Sequence, residues 1–463
     1  MKQVIQSLRS GKTSLIETPV PKVSPDTILI KTCKTLISSG TEKMLIDFGK
    51  SNLLKKAYKQ PEKVKMVLNK IQTDGLQPTI ETVFNKLDQP LPLGYCNVGR
   101  VVDIGSNIRN FSVGDRIVSN GNHAEFVTVP KNLCAKIPKN VSDEEAVFAI
   151  LGSIALQGLR NTEPTLGESI VVSGLGILGL LTVQLLIANG CKVLGLDFDS
   201  NRLSLAREFG ADVFNLSNSK NLVSFVDTFS DNRGIDAAII TAATSSNEPI
   251  MQAAEICRKR GRITSVGVTS LELPRDLFYK KELTFKVSSS YGPGRYDINY
   301  EQKGQDYPIA YVRWTEQRNF EAILDLISKG SLNVKPLITK KFEIDDVDSA
   351  YKLLASDKPS LGIILNYNNH ENHEDLIQLN SKEKQHSEDI YKDKINIKNK
   401  LNVAFLGAGN YASKILIPSF KLTNVEFNSI ASKTGLSSSY LGRKFKFKEV
   451  TTSADRIIND KAN

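Results

Sequence analysis

Residues 169–197 read SIVVSGLGILGLLTVQLLIANGCKVLGLD and contain the most informative pattern in the chain. A short apolar run, Ile170 to Val172, predicts a buried strand, and an apolar helix is predicted from about Ile177 to Ala188. A second buried strand, from Lys192 to Leu196, ends in an aspartate. A glycine-rich turn joins the first strand to the helix. This order of elements is the setting in which such a turn indicates a dinucleotide-binding site.

The glycines of the turn have the spacing Gly174-x-Gly176-x-x-Gly179. The first permits a tight turn, the second lets the backbone approach a pyrophosphate, and the third lets helix and strand pack closely. Asp197 follows about 20 residues on, where its carboxylate can accept from both ribose hydroxyls and so favours NAD over NADP. A tight turn in a non-binding α/β protein is the alternative. The predicted cofactor residues are Gly174, Leu175, Gly176, Ile177, Leu178, Gly179, Asp197, Arg202, Thr241, Val266 and Gly267.

Composition indicates an ordinary globular protein of about three domains, since the chain has 463 residues, 40% hydrophobic and 24% charged. No apolar run approaches the roughly 20 residues that span a bilayer, and the N-terminus lacks a secretory apolar segment. Five scattered cysteines predict free thiols in a reducing cytoplasm. The net charge of +10 comes from dispersed lysines, which favour solubility and attraction of anionic metabolites over nucleic-acid binding.

The order of predicted elements suggests an α/β chain with two nucleotide-type units. Short strands and a lysine-rich helical stretch come first, strands alternating with helices follow, and a polar, highly charged segment precedes a last α/β unit. The predicted divisions are a β-rich unit at 1–149 with a helical insertion at about 43–88, a doubly wound unit at 150–284, a return to the first unit at 285–366, a polar linker at 367–400 and a partial second unit at 401–463.

The last unit repeats the nucleotide pattern. A strand at 403–406 is followed by Gly407-x-Gly409-x-x-Ala412, and alanine is permitted at the third place. The next predicted strand ends in Ser432-Lys433-Thr434 rather than in an acid, which weakly favours a 2′-phosphate. Gly407 and Gly409 are therefore a second predicted cofactor site. Barely half of a six-stranded dinucleotide fold lies in these residues, so we expect the first site to be the complete one.

Residues 1–365 resemble the medium-chain dehydrogenase/reductase superfamily of the zinc alcohol dehydrogenase type. The motifs that carry the resemblance are Leu93-Gly94 with Gly99-x-Val101, Val113-Gly114-Asp115-Arg116-Ile117, His123-Ala124-Glu125-Phe126-Val127-x-Val129-Pro130 and the turn from Gly174 to Asp197. The resemblance implies a GroES-like catalytic domain interrupted by a Rossmann domain, with the active site between them.

The C-terminal unit resembles the start of the Gfo/Idh/MocA oxidoreductases, through the run VAFLGAGNYA from Val403 to Ala412. The combination of both units is similar to bacterial bi-domain oxidoreductases associated with surface polysaccharide synthesis. A sugar or nucleotide-sugar substrate is thus implied.

The sequence departs from the zinc dehydrogenase pattern at the metal. The family's first zinc cysteine aligns near Ser38, its His-Glu pair aligns with Tyr95 and Cys96, and neither Cys nor His stands near Leu151. Catalytic zinc needs three protein ligands of N, S or carboxylate type. We therefore expect no zinc, and a general acid/base must replace it.

The candidates for that acid/base are few. Tyr95 stands where the zinc histidine would be, and His123 is the first histidine of the chain, in a loop that the resemblance places at the rim of the cleft. Packing roles are the alternatives for both. A Gly-Pro-rich loop could close over substrate, and its arginine suits a phosphate or carboxylate. The predicted catalytic residues are Tyr95, His123, Ser38, Thr41, Glu42, Arg295 and Tyr291.

The leading hypothesis is a zinc-independent, NAD-dependent dehydrogenase or reductase, cytoplasmic, without membrane or nucleic-acid partners and open to homo-oligomer formation. A non-catalytic NAD-binding or scaffold protein is the alternative, because zinc ligands and part of the second unit are missing. Nucleic-acid binding through the lysine-rich helices at 50–86 is disfavoured, since acidic residues interleave the lysines.

Overall fold

A computed structural model describes residues 1–50, 89–217, 221–356, 359–368, 374–379 and 401–460. The helical insertion predicted over 43–88 lies outside these residues beyond residue 50. The strands are β1 Lys2–Ser7, β2 Thr13–Glu17, β3 Thr27–Ser38, β4 Pro90–Pro92, β5 Asn97–Ile104, β6 Arg116–Ser119, β7 Phe126–Pro130, β8 Cys134–Lys136, β9 Ser169–Ser173, β10 Lys192–Asp197, β11 Asp212–Asn215, β12 Ile235–Ile240, β13 Cys257–Ser265, β14 Thr284–Val287, β15 Ile338–Glu343, β16 Gly362–Asn366, β17 Leu376–Gln378, β18 Leu401–Leu406, β19 Val425–Ala431 and β20 Glu449–Thr451. The helices are α1 Thr41–Lys50, α2 Asp143–Ala146, α3 Ala149–Thr162, α4 Ile177–Ala188, α5 Ser200–Glu208, α6 Leu222–Phe229, α7 Glu248–Ile256, α8 Arg275–Lys281, α9 Ile298–Glu301, α10 Glu316–Ser328, α11 Val347–Ala355, α12 Ile417–Lys421, α13 Leu436–Phe445 and α14 Ala454–Asn459.

The glycine-rich turn belongs to a six-stranded parallel sheet with the order β11-β10-β9-β12-β13-β14. Numbered from its first strand, this order is 3-2-1-4-5-6, the doubly wound dinucleotide arrangement, so the predicted α/β class is confirmed. The turn follows β9, where the strand order reverses and a crevice opens beyond the carboxyl ends of the strands. The sixth strand extends to Val287, slightly beyond the boundary predicted at residue 284.

A second, seven-stranded sheet has the order β15-β16-β3-β5-β6-β8, with β7 also paired to β3. β16 runs antiparallel to β3, with Ile363 opposite Ile37, so residues after the parallel sheet return to strands from the N-terminus. β3 ends at Ser38 and α1 begins at Thr41, which brings this turn to the mouth of the crevice. A small sheet, β2-β1-β4, completes this part of the molecule.

One apolar cluster joins the two large sheets. It contains Ile30 of β3, Val172 of β9 and Phe320 of α10, all buried. The helices α3, α4 and α10 pack within it, and Gly152 of α3 lies so near Ile323 that an added Cβ would come within 2.7 Å of it. Because interiors pack densely, this shared core holds the two walls of the crevice in a defined relation.

The C-terminal residues form a four-stranded sheet with the order β17-β20-β19-β18. The strand β17 lies inside the polar linker predicted over 367–400 and corrects that prediction. Ile377 is paired with Val450 and, like Leu379, packs against the core around Phe405. Residues 376–379 read LIQL, and three apolar residues in four suffice for an edge strand even where the flanking sequence is highly charged. Of the rest of that linker, residues 369–373 and 380–400 lie outside the described part of the chain.

This C-terminal sheet contacts the N-terminal strands directly. The Thr452 hydroxyl donates to the Val20 carbonyl at 2.6 Å in a buried position, and the Lys22 ammonium donates to the Ser453 hydroxyl at 2.8 Å. The two parts therefore share a polar contact surface away from the crevice.

The described helices include none with the length and apolar character needed to cross a bilayer. All five cysteines are free thiols, as their scattered spacing predicted.

Candidate active site

A cleft of about 820 Å³ lies between the parallel sheet and the turn that follows β3. One wall contains the glycine turn, the end of β10 and the loop after β12. The opposite wall contains the turn at 38–43 and a stretch near the end of α11. The described lining residues are Ser38, Ser39, Gly40, Thr41, Lys43, Ser173, Gly174, Gly176, Ile177, Leu178, Leu196, Asp197, Phe198, Asp199, Arg202, Leu216, Thr241, Ala242, Ala243, Thr244, Ser246, Glu248, Pro249, Gln252, Leu354, Ser356, Pro359 and Ser360.

The three glycines of the turn have three different surroundings. Gly174 has φ +93°, and a Cβ there would lie 2.7 Å from the backbone of Ala242. A Cβ at Gly179 would lie 1.9 Å from the carbonyl oxygen of Gly174, so only glycine permits this close approach of helix and strand. A Cβ at Gly176 would meet nothing within 4 Å, and α4 has no side-chain cap at its N-terminus. Free N–H groups with open space before them suit a phosphate group.

Asp197 is buried at the end of β10 and is already partly engaged. One carboxylate oxygen accepts from the Leu175 amide at 2.6 Å, and the other accepts from the Phe198 and Asp199 amides at 2.7 and 2.9 Å. A carboxylate has about four acceptor positions. The three amide contacts leave one acceptor position on the Asp197 carboxylate, toward the cleft. In this conformation the carboxylate can accept from one ribose hydroxyl, whereas the sequence predicted that it accepts from both.

The other predicted cofactor residues divide into those that line the cleft and those that support it. Arg202 lines the cleft, with its guanidinium 3.9 Å from the Asp197 carboxylate. Thr241 lines it too and donates to the Gly174 carbonyl at 2.5 Å. The side chain of Leu175 is buried, whereas Gly267 packs against the backbone of Thr241. Val266, like Leu175, Gly179 and Gly267, is not among the described lining residues.

Tyr95 reaches the cleft wall through Thr41. Its phenol donates to the Thr41 hydroxyl at 3.1 Å, and Thr41 and Ser38 both line the cleft. Burial raises the pKa of Tyr95 above its ordinary value, against hydrogen bonds with Ser38 and Thr41 that lower it. The phenol is therefore neutral at pH 7 and acts as a hydrogen-bond donor.

His123 and Glu42 lie beneath this pair in a buried network, not at the rim of the cleft as the resemblance implied for the histidine. His123 is 0% exposed, with Nε2 3.3 Å from both Glu42 oxygens and Nδ1 2.7 Å from the Thr35 hydroxyl. The Tyr351 phenol donates to Glu42 at 2.5 Å, and the Ser38 amide donates to it at 3.1 Å.

Each contact of that network is satisfied when Glu42 is ionised and His123 is neutral with its proton on Nε2. Thr35 can then donate to His123 Nδ1 while accepting from Tyr367, whose phenol is 3.0 Å away. The assignment of the tautomer follows from this hydrogen-bond pattern. Hydrogen bonds of Glu42 with His123 and with the Ser38 amide consequently tie this network to the 38–41 turn, and a catalytic role for either residue stays a prediction.

Tyr291 and Arg295 are not among the described lining residues of the cleft, and their role as a substrate lid stays a prediction. Tyr291 is 4% exposed, its phenol accepts from Asn120 at 3.3 Å, and burial raises its pKa to about 12. Arg295 forms a 2.5 Å ion pair with Glu301. The loop is tied to α10, because Asn319 donates to the Tyr291 carbonyl at 2.8 Å. A glycine- and proline-rich sequence here makes a packed turn.

The residues at the family's metal positions do not form a zinc ligand set. Cys96 is fully buried, and burial raises the pKa of its thiol well above the ordinary value. Tyr95 is engaged with Thr41. Among the residues that the structure describes, no three His, Cys, Asp or Glu side chains are close enough to hold a metal ion.

The structure adds cleft residues that sequence reasoning missed. Lys43 was part of the predicted lysine-rich insertion, although its position directly after Thr41 could have suggested a place in the cleft. Ser356 and Ser360 come from the returning segment, where no motif marks them.

The second predicted cofactor site has a smaller cavity of about 270 Å³. Gly409 lines it with Lys414 and Lys444, while Gln89 and Pro90 close it from the N-terminal part. Gly407 has φ +112° and open space around it. Cofactor binding at this place stays a prediction.

Comparisons with known proteins define the class. Residues 178–303 match the family model described as zinc-binding dehydrogenase. The chain is similar to medium-chain, zinc-type dehydrogenases, and its relatives are named dehydrogenases and reductases, consistent with an NAD(P)-dependent oxidoreductase.

Individual relatives are distant. A probable D-xylulose reductase A of Neosartorya fischeri is 25% identical over 305 residues, covering 58% of this chain and 78% of the relative. A sorbitol dehydrogenase of Halalkalibacterium halodurans is 23% identical over 301 residues, covering 58% and 81%. The alcohol dehydrogenase TADH from Thermus sp. ATN1 has a similar fold, with a TM-score of 0.60 at 20% identity over 80% of this chain and 100% of that one.

Proposed function

We propose that this protein is a zinc-independent, NAD-dependent oxidoreductase that interconverts an alcohol and a carbonyl. The observation that carries the proposal is the single cleft in which the glycine turn and Asp197 face the Thr41 hydroxyl with Tyr95 behind it. In this proposal residues 150–284 bind the cofactor, 1–149 and 285–366 supply the catalytic wall, and 401–463 are a partial second cofactor-binding unit.

Asp197 supports NAD rather than NADP. Its remaining acceptor position suits a ribose hydroxyl, and a carboxylate repels a 2′-phosphate. The open space at Gly176 and the uncapped N-terminus of α4 suit the pyrophosphate.

When bound, the nicotinamide cofactor donates or accepts the hydride. The chain's own residues handle the proton. In carbonyl reduction, Thr41 Oγ1 gives its proton to the substrate oxygen as that oxygen becomes a hydroxyl, and the Tyr95 phenol replaces the proton on Thr41. Tyr95 then regains a proton from water. Because burial keeps Tyr95 neutral at neutral pH, its phenol carries the proton that it donates toward Thr41.

Zinc independence is supported by the absence of a ligand set among the described residues and by the buried position of Cys96. Thr41 replaces the Lewis acid by donating a hydrogen bond to the substrate oxygen, and Tyr95 supports it by donating a hydrogen bond to Thr41. Such a pair provides less charge stabilisation than a metal, so a modest turnover is expected.

A sugar, polyol or nucleotide sugar is the proposed substrate class. The D-xylulose reductase and sorbitol dehydrogenase relatives are named for such compounds, and the resemblance to bi-domain enzymes suggests surface polysaccharide synthesis in the cytoplasm.

The test combines binding, turnover and metal content. Purified protein should quench or shift NADH fluorescence and should reduce a member of a panel of keto sugars and nucleotide keto sugars. Mass spectrometry should find less than about one zinc per ten chains. Activity should persist in EDTA. Stoichiometric zinc, with activity lost on chelation, would refute zinc independence.

A non-catalytic NAD-binding protein is the second candidate. It is favoured by the burial of His123, which leaves no histidine among the described lining residues of the cleft. NADH binding without turnover across the whole panel would favour this candidate.

A further inference from the structure

Two arginine side chains contact the same indole ring outside the cleft. Arg160 lies in the last turn of α3, and Arg313 lies just before α10. Their guanidinium carbons are 3.6 and 3.9 Å from the ring centroid of Trp314. The attraction between a cation and an aromatic face holds such groups in place. One ring therefore keeps two positive charges close together.

No carboxylate neutralises this pair in the part of the chain that the structure describes. Neither Arg160 nor Arg313 forms an ion pair there, whereas the neighbouring Arg318 is paired with Asp306. Glu321 is the acid whose pKa the charge of Arg313 lowers, against burial that raises it, but Glu321 forms no ion pair with Arg313. Two like charges thus stand together without a counter-ion.

Arg160 is held in a fixed orientation. Its Nε donates to the side-chain oxygen of Asn319 at 3.0 Å, and Asn319 in turn donates to the Tyr291 carbonyl at 2.8 Å in a buried position. The terminal nitrogens of Arg160 donate to no described residue. Burial and the charge of Arg313 lower the pKa of Arg160 to about 10, so it stays charged at pH 7. The site therefore offers oriented, charged donors that have no acceptor.

We propose that Arg160 and Arg313 bind a dianionic phosphate group beside Trp314. A dianion matches two positive charges, relieves their repulsion and accepts the paired hydrogen bonds that guanidinium groups donate. A carboxylate brings only half that charge. None of these three residues is among the described lining residues of the cleft, so this site is separate from the proposed cofactor site and does not rest on the proposed function.

The experiment uses Trp314 as its reporter, because it is the only tryptophan in the chain. Inorganic phosphate, glucose 6-phosphate and acetate are titrated into the protein, with calorimetry as a second measure of each dissociation constant. Phosphate should change the tryptophan emission saturably, and acetate should bind at least about tenfold more weakly. Glucose 6-phosphate that binds about tenfold tighter than phosphate would identify a phosphorylated metabolite as the ligand, and equal affinities would identify the phosphate group alone.

Three variants assign the binding to this pair of arginines. Arg313→Gln should weaken phosphate about tenfold or more, and it should leave the core intact because Arg313 is exposed. Arg313→Lys should weaken phosphate about threefold or more, since it keeps the charge but loses the planar fork. Arg207→Gln removes the same charge from an exposed position on α5 and should equal wild type.

Salt dependence provides a readout that a merely structural stack would not change. Wild-type affinity for phosphate should fall with added sodium chloride more steeply than that of Arg313→Gln, because screening weakens a contact that the variant lacks. A phosphate dissociation constant above about 10 mM in wild type would overturn the inference. Equal phosphate affinity in wild type and Arg313→Gln would also overturn it, because the phosphate would then bind elsewhere in the molecule.

Discussion

Tyr95, which the sequence predicts at the position of the zinc histidine, donates its phenol proton to the Thr41 hydroxyl. The donor contact of 3.1 Å to Thr41 and the raised pKa together keep it a neutral donor at the cleft wall. His123, by contrast, is completely buried between Thr35 and Glu42. At the scale of single residues, burial decides which predicted acid/base group can act.

Tyr95→Phe should lower kcat for carbonyl reduction about 100-fold, because Thr41 loses the group that replaces its proton. The KM for NADH should stay unchanged, since Tyr95 is not among the described cleft-lining residues. Steady-state kinetics measure both. Tyr291→Phe is the matched control, because it removes a phenol that contacts Asn120 away from the cleft. Equal kcat values for the two variants would rule out Tyr95 as proton source.

Asp197→Asn should weaken NADH binding about tenfold and narrow the preference for NADH over NADPH, since a neutral amide accepts more weakly and no longer repels a 2′-phosphate. Fluorescence titration with both cofactors measures the ratio. Asp199→Asn is the control, because asparagine can keep the N-cap that Asp199 makes with Asn201 and Arg202. If the ratio of NADH to NADPH affinity changed equally in both variants, the role of Asp197 would be contradicted.

At the scale of elements, the strand–turn–helix unit depends on glycines for two separable reasons. Gly179 is required by packing, whereas Gly176 leaves room for a ligand. The difference is measurable because the two positions can be changed in the same way.

Gly179→Ala should destabilise the protein by about 1–3 kcal/mol, because its Cβ would overlap the Gly174 carbonyl. Gly176→Ala should change stability by less than about 1 kcal/mol, since its Cβ points into open space, yet weaken NADH binding about tenfold. Thermal unfolding and fluorescence titration of both variants provide the comparison. If Gly176→Ala lost stability but kept its affinity for NADH, Gly176 would have the packing role and not the ligand-binding role.

The first residue of α10 is a buried acid that the proposed chemistry does not use. Glu316 is 0% exposed, and neither carboxyl oxygen has a hydrogen-bond partner among the described residues. Burial raises its pKa to about 8, the nearby Glu301 carboxylate adds to this, and Arg295 opposes it. Folded protein therefore holds a proton here at neutral pH that unfolded protein does not.

Stability should consequently fall as pH rises from the ordinary carboxyl range toward about 8, and this slope should be absent in Glu316→Gln. The sign follows because the folded state binds the extra proton, so raising the pH favours the unfolded state. At pH 8.5 the free energy of unfolding of Glu316→Gln should exceed that of wild type by roughly 1–3 kcal/mol. Denaturant unfolding across pH 5 to 9 measures it, with Glu321→Gln as a less buried control on α10. If the stability of Glu316→Gln and of wild type changed equally with pH, the raised pKa assigned to Glu316 would be contradicted.

At the scale of the whole molecule, the cleft is built without the C-terminal sheet. Its described lining residues all precede residue 361, while the C-terminal sheet contacts the N-terminal strands elsewhere, through Thr452 and Ser453. Cofactor binding at the first site and docking of the last unit should be independent.

Protein ending at residue 368 should therefore bind NADH within about threefold of the full chain, a difference smaller than about 1 kcal/mol. Isothermal titration calorimetry measures this. Its thermal midpoint should fall, since the Val20 region loses its cover. Thr452→Val in the full chain is the control for the interface alone. A tenfold loss of NADH affinity on truncation would show that the two units are coupled.

The parallel sheet was predictable because its elements are signalled locally. Apolar runs, glycines and an acid lie within thirty or so residues, and short-range spacing determines the turn. The edge strand Leu376–Gln378 was missed because its few apolar residues are surrounded by charge. Pairing with Glu449–Thr451 and packing against the core around Phe405 stabilise it.

The sequence by itself determined the doubly wound class, the glycine turn and the presence of Asp197 near it, because these features depend on neighbours along the chain. Tertiary structure alone decided that Tyr95 meets Thr41, that His123 is buried against Glu42, that the Tyr291 loop packs on α10 and that Lys43 stands in the cleft. These relations join residues that are far apart along the chain, and Glu42 and His123 are separated by 81 positions. Contacts over such separations arise from strand pairing and core packing, which no local pattern encodes.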